Sequence, residues 1–269
     1  MAHRNKLSVR RYHDRVASRY DDTYDDAYWQ WHDALTWDHI KPHLPATSRV
    51  PVLDLGCGTG KWGAKLLAAG YSVTCVDISG AMVGEAREKL TAMQGGDRAA
   101  FLQADLCDLS ALPADMFHLA LALGDPIGCT ASPPKALKEI RRVLIDGGLL
   151  IATFDNGLAA IEFYLEQGDP AALEAFIRSG RTHWLTKDPA ERFEIHTYTP
   201  AQVRKLLESA GFAVEDMIGK TILPMRHYRG LLDAPEDRRR WAAIEKSLWR
   251  DEAALGRASH LQVVARATA

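Results

Sequence analysis

The chain reads as an α/β protein built on a doubly wound parallel sheet. Two observations predict this. From residue 50 onward, short apolar and β-branched runs alternate with segments of helical period. Alternation of that kind implies right-handed βαβ units, with helices on both faces of the sheet. The first run also leads directly into a glycine-rich turn, "LDLGCGTG" (53–60), of the kind that follows a strand where a nucleotide-like ligand binds.

The elements follow in order. "VPVLDL" (50–55) is continuously apolar apart from Asp54 and reads as a buried strand. "KWGAKLLAAG" (61–70) has helical spacing and ends at a glycine. "YSVTCVD" (71–77) is β-branched, alternating, and closed by an acid. Ser79 is a natural N-cap for "GAMVGEAREKLTAM". "AAFLQAD" ends at Asp105, and "FHLALAL" (117–123) is a fourth strand. "PPKALKEIRRVL" (133–144) opens with proline and stops before Gly147-Gly148, as a helix should. "GLLIATF" (148–154) is a fifth strand. Further on, Thr199 and Pro200 open the helix in "TPAQVRKLLESAGF", which leads to "AVEDMIGKTIL". A charged helix, roughly 235–254, precedes a last strand, "HLQVVARA".

Two segments break the rhythm. Residues 1–49 are rich in Tyr and Trp and form a helical N-terminal cover. Residues 50–269 form the main domain, with an insertion at about 157–196 expected to cap the ligand crevice. Crevices in open α/β sheets lie beyond the carboxyl ends of the strands, where this insertion starts.

Composition excludes several classes. The 269 residues are 47% apolar and 25% charged, enough for a sizeable core in a globular chain. The 33 basic and 35 acidic residues leave a net charge of −2, so no overall positive field argues for nucleic acid or an anionic membrane. No run of about 20 apolar residues is present to span a bilayer. The first residues lack an apolar signal-peptide stretch, so a cytoplasmic location is expected. Cys57, Cys75, Cys107 and Cys129 form no metal-like spacing; Cys57 and Cys75 read as small core residues in a reducing compartment.

The turn itself narrows the ligand. Gly56, Gly58 and Gly60 make Gly-x-Gly-x-Gly, whereas the dinucleotide fingerprint needs Gly-x-Gly-x-x-Gly, and Lys61 stands at its final position. Gly60-Lys61 is followed by Trp62, which also excludes a phosphate loop ending Gly-Lys-Ser/Thr. The glycines still supply positive φ and close backbone approach.

On these residues the stretch "VLDLGCGTGKWGAKLLAAGYSVTCVDIS" resembles motif I and the next strand of class I S-adenosylmethionine-dependent methyltransferases. The resemblance covers roughly residues 50–155. It implies a seven-stranded sheet whose last strand is antiparallel, and S-adenosylmethionine as cofactor. It also implies Asp54, Gly56, Gly58 and Gly60 as the cofactor turn, Asp77 as acceptor for the ribose hydroxyls with Ile78 beside it, and Asp105 and Leu106 at the adenine. A carboxylate closing the second strand suits a ribose diol on elementary grounds as well.

Other candidates are more local. Tyr20, Tyr24 and Tyr28 are spaced four apart, as on one helix face. Such a stripe docks a helix; in similar small-molecule methyltransferases the Tyr matching Tyr20 approaches the methionine end. The loop "GDPIGC" puts Asp125 at the mouth of the site, facing substrate or capping the loop, and lacks the second proline and aromatic of base-amine methylases. Asp155-Asn156 with Asp125 is similar to the metal site of catechol-type enzymes; Asp-Asn-Gly is equally a simple turn. His196 and His183 are the candidate catalytic bases, His196 the better anchored. Arg226 and Arg229 would clamp an anionic substrate or form a solvated loop. The expected function is methyl transfer to a small-molecule O, N or S nucleophile, with no nucleic-acid or membrane partner. The alternatives are an RNA or protein methyltransferase, or a non-catalytic S-adenosylmethionine-binding protein.

Overall fold

A computed structural model describes residues 2–183 and 192–269. Seven strands form one sheet: β1 (Pro51–Leu55), β2 (Ser72–Asp77), β3 (Ala99–Gln103), β4 (Phe117–Ala122), β5 (Leu144–Asp155), β8 (Phe212–Lys220) and β9 (His260–Ala267). Their order is β3-β2-β1-β4-β5-β9-β8. Pairings from β3 across to β5 are parallel, and β9 is antiparallel to both of its neighbours. The chain leaves β1 toward β2 on one side and returns to β4 on the other. The crevice at this reversal is where open α/β sheets bind ligands.

Helices α4 (Lys61–Ala68), α5 (Gly80–Thr91), α6 (Pro133–Val143) and α9 (Pro200–Glu208) flank the sheet. Each starts for a local reason. Ser79 Oγ accepts from the Met82 amide at 3.1 Å. Thr199 and Gln202 form a reciprocal capping box. α6 buries Ala136, Leu137, Ile140 and Val143, one stripe of an otherwise charged helix. That stripe joins Leu53, Leu55, Phe117 and Phe154 in the main core, while Leu66, Leu67, Val73 and Cys75 form the core on the opposite face.

The N-terminal segment folds as α1 (Ala2–Val16), α2 (Tyr20–Thr23) and α3 (Ala27–Ile40). The three tyrosines do not share one helix. The chain breaks after Tyr24, and Asp26 restarts it by accepting from the Trp29 amide at 2.9 Å. Tyr20 and Tyr24 meet as tilted rings 4.7 Å apart, whereas Tyr28 is buried against Trp31, Ile218 and Met225.

Two further boundaries differ from the pattern. β5 starts at Leu144 rather than 148, because its register against β4 slips between Phe117 and Leu119 and accommodates the two glycines. The charged helix is two: α10 (Pro235–Leu248), then α11 (Glu252–Leu255) restarted by the Asp251 cap. The insertion after β5 contains α7 (Ala160–Gln167), α8 (Pro170–Ser179) and a hairpin of β6 (Arg181–Thr182) with β7 (Ile195–His196). Phe193 and Ile195 at its end pack on Val9 of α1.

Candidate active site

A crevice opens at the carboxyl ends of β1, β2 and β4, with about 750 Å³ of free space including its mouth. Its floor is Gly56 and Gly58 of the turn, Asp77 and Ile78 after β2, and Asp105 and Leu106 after β3. One side is the loop after β4, with Gly124, Pro126 and Cys129. The roof is N-terminal: Lys6, Val9 and His13 of α1, and Tyr20.

The glycines have different reasons. Gly56 has φ +64°, and a Cβ there would stand 2.3 Å from Cβ of Pro126, so it lets the first turn lie against the β4 loop. Gly58 has φ +52°, and its Cβ would meet nothing nearer than Tyr20 Cε1 at 3.9 Å; it faces the crevice. Gly60 caps α4 with φ +83° and abuts Leu90 and Ala86 of α5. Asp77 fixes the turn through both oxygens, accepting from the Gly58 amide and the Ser79 amide, each at 2.9 Å. Each oxygen keeps a further lone pair for a ligand donor.

Asp54 lies beneath the turn, 1% exposed, and does not line the crevice. It accepts from the Gly63 amide at 2.7 Å, tying β1 to the first turn of α4. Burial pushes its carboxyl up to about 7. Asp105 accepts from the Cys107 amide and pairs with Lys6 Nζ, both at 2.9 Å. His13 Nδ1 donates to the Val9 carbonyl at 2.8 Å, because a carbonyl can only accept.

The proposed catalytic groups fall elsewhere. Asp125 is 3% exposed at φ +56°, and its carboxylate accepts from the Gly128 amide at 2.9 Å and the Asp155 amide at 3.1 Å. It brackets the loops after β4 and β5, and burial, then Asp155, pushes its carboxyl well up. Asn156 is fully buried; its amide donates to the Leu255 and Ala258 carbonyls, and its oxygen accepts from Leu158. The carboxamide oxygen of Asn156 is thus engaged in the turn. His196 lies on β7 outside the crevice lining, its amide donating to the Gly128 carbonyl; burial, then Arg181, lowers its pKa. His183 is exposed, beyond β6.

The structure also assembles a cluster that the sequence pattern did not single out. The register sets Asp155 at the end of β5, His260 at the start of β9 and Lys220 at the end of β8 side by side. His32 of α3 packs on them, its ring 5.4 Å from that of His260. Lys220 is 1% exposed and donates to Thr36 Oγ1 at 2.7 Å; burial lowers its pKa to about 7. Burial, then the nearby Lys220, lowers His32 to about 4.

This strand order, with a glycine turn after β1 and a carboxylate closing β2, defines the class I S-adenosylmethionine-dependent methyltransferase fold. The chain matches the family described as "Methyltransferase domain" over residues 52–148. It is 25% identical over 222 residues to the tRNA 5-carboxymethoxyuridine methyltransferase of Escherichia coli, covering 80% of this chain and 79% of that one. It is 35% identical over 117 residues to the malonyl-[acyl-carrier protein] O-methyltransferase of Pectobacterium atrosepticum, covering 42% of each. In fold it matches the crystal structure of an S-adenosylmethionine-dependent methyltransferase from Mesorhizobium loti, with TM-score 0.60 and 21% identity over 86% of this chain and 97% of that one. Among the described residues, no helix is long and apolar enough to cross a membrane.

Proposed function

We propose that the chain transfers a methyl group from S-adenosylmethionine to an O, N or S nucleophile of a small molecule. The observation that carries the acceptor class is the roof. α1 spans the crevice, joined to the insertion where Asn5 exchanges hydrogen bonds with the Glu194 backbone, and to α5 where Ser79 donates to Asp14 at 2.6 Å. A covered pocket admits a small acceptor more readily than a polymer, and the overall charge of −2 adds no attraction for one.

The residues present fit the cofactor. Gly58 leaves a cradle that a Cβ would fill, Asp77 on the crevice floor offers two lone pairs that suit a diol, and Ile78 and Leu106 give apolar walls for a base. In this reading Asp105 accepts from the adenine amino group, and Tyr20 stands over the methionine end. Bound there, the cofactor supplies a methyl on a good leaving group. The chain's own residues then hold the acceptor in line and exclude water.

One observation favours a second reading, a tRNA acceptor. The relative matched over most of its length acts on tRNA, and α1 and the turn after it expose Arg10, Arg11, Arg15 and Arg19 beside the crevice. Methyl-labelled S-adenosylmethionine, offered with a panel of small hydroxyl, amine, thiol and carboxylate compounds and separately with bulk tRNA, decides between them. Label passing to small compounds supports the proposal; label passing to tRNA alone replaces it.

A further inference from the structure

A wall of rings connects the cofactor crevice to the edge of the sheet where β5 and β8 end and β9 begins. Tyr20 lines the crevice; its ring is 4.7 Å from Tyr24, Tyr24 is 4.8 Å from Trp29, Trp29 is 5.4 Å from His32, and His32 is 5.4 Å from His260. β4 and β5 end at this same edge. There Gly124 has only open space within 4 Å of its Cβ direction, and the Asp155 amide is held by Asp125.

At the far end the hydrogen bonds fix a tautomer. Thr221 Oγ1 donates to the Lys220 carbonyl at 2.6 Å, so toward His260 Nδ1, 3.3 Å away, it can only accept. Nδ1 therefore carries the proton, and Nε2 of the neutral ring presents its lone pair toward Asp155 Oδ1, 3.8 Å away. That spacing exceeds a direct hydrogen bond. A proton donor placed between the two atoms is attracted by both. Thr221 adopts φ +57°, an outlier for a β-branched residue. Glu245 of α10, fully buried, holds the strained loop by accepting from the Ile222 and Leu223 amides at 2.8 and 3.0 Å. Strain retained in this way accumulates at functional sites.

Resting on the methyl-transfer reading above, we propose that His260 is the catalytic base for the methyl acceptor, opposed by Asp155. The acceptor is then a small molecule presenting a hydroxyl or amine nucleophile. The acceptor lone pair forms a bond to the methyl carbon as the carbon–sulfur bond breaks, its electron pair staying on sulfur. The acceptor proton passes to His260 Nε2, and Asp155 balances the imidazolium until the proton leaves to water. His260 is faced by Asp155 from β5, His32 from α3, Lys220 from β8 and Arg226 from the loop beyond. Burial, with the positive character of the last three, lowers its pKa well below the usual histidine value. The ring is thus unprotonated at neutral pH, and a hydroxyl acceptor, made strongly acidic by methylation, needs only a weak base. Thr221 and Glu245 are positioning residues.

The test has a spectroscopic arm and a kinetic one. In ¹⁵N-histidine NMR of the full chain with S-adenosylhomocysteine, His260 should be neutral and protonated on Nδ1 at pH 7. A charged ring, or a proton on Nε2, overturns the proposal. With a hydroxyl or amine acceptor from the panel, His260→Gln should lower kcat about 100-fold or more, flatten the acidic limb of the kcat–pH profile, and leave S-adenosylhomocysteine affinity within about twofold. Unchanged kcat overturns the base while leaving the methyl-transfer reading intact. Should only carboxylates or tRNA be methylated, the small hydroxyl or amine acceptor falls, and the same variant measured on that acceptor judges His260 separately.

Discussion

The burial of Lys220 makes stability depend on pH in a way that can be worked out in advance. The ammonium is 1% exposed, and burial lowers its pKa from 10.5 to about 7 against the upward pull of Asp33, Asp155 and Glu245. Between those values the unfolded chain holds the proton and the folded chain does not. Stability from this group therefore rises with pH across that window, and its full cost is present below about pH 7. At about 1.36 kcal/mol for each pH unit, the full cost is about 5 kcal/mol, and about half of it is relieved between pH 6 and pH 9. Lys220→Met keeps the length of the side chain and removes the charge. Urea unfolding of wild type and variant at both pH values isolates the effect, since packing differences cancel in the comparison. The variant should gain about 2–3 kcal/mol more over wild type at pH 6 than at pH 9. A gain differing by less than about 0.5 kcal/mol between the two would show that Lys220 keeps its proton in the fold, and would refute the reasoning.

Asp77→Ala should weaken S-adenosylhomocysteine binding by about 1.5–3 kcal/mol, or about 10- to 150-fold, through lost charge-assisted hydrogen bonds to ribose. Calorimetry finding an unchanged affinity removes Asp77 from the cofactor site. Gly58→Val should abolish binding, since its Cβ projects into the crevice. The positive φ adds about 1–2 kcal/mol of strain, visible as a lowered melting temperature with retained circular dichroism. A variant that still binds would limit Gly58 to turn geometry. Treatment with EDTA should leave turnover intact, because Asp125 is 3% exposed and Asn156 fully buried, with their side-chain oxygens bonded to backbone amides. Activity lost on chelation and restored by magnesium would instead support the metal at Asp125, Asp155 and Asn156.

The pattern of apolar runs located every strand of the main sheet, most plainly β1 and β4, whose buried parallel positions leave near-continuous signals. Gly56, Gly58, Asp77, Ile78, Asp105 and Leu106 were legible for a related reason: the turn and the strand ends that bear them are contiguous in sequence. Lys6, Val9 and His13 were not, since docking α1 across the crevice depends on Asn5, Asp14 and residues nearly two hundred positions away. The His260 cluster is assembled from residues as far apart as His32 and His260, and only register brings them together. One signal was available. An antiparallel last strand necessarily starts at the carboxyl edge of its neighbours, so the histidine opening "HLQVVARA" had to lie at the functional end of the sheet. Asp125 and Asn156 were correctly located at strand ends, but the sequence could not show that backbone amides would claim their oxygens.

The two walls of the crevice are fastened by different means. The β4 side is anchored through Asp125 and Thr153, buried groups bonded to backbone amides. The α1 side relies in part on Lys6–Asp105, a pair whose lysine is 42% exposed, and near Tyr20 on the exposed pair Lys89–Asp21. Salt screens the second kind of contact and hardly touches the first. Ionic strength therefore loosens one wall against a fixed other, like a hinged shutter on a rigid frame. Nucleoside ligands should exchange faster in high salt, while the melting temperature of the sheet stays nearly where it was.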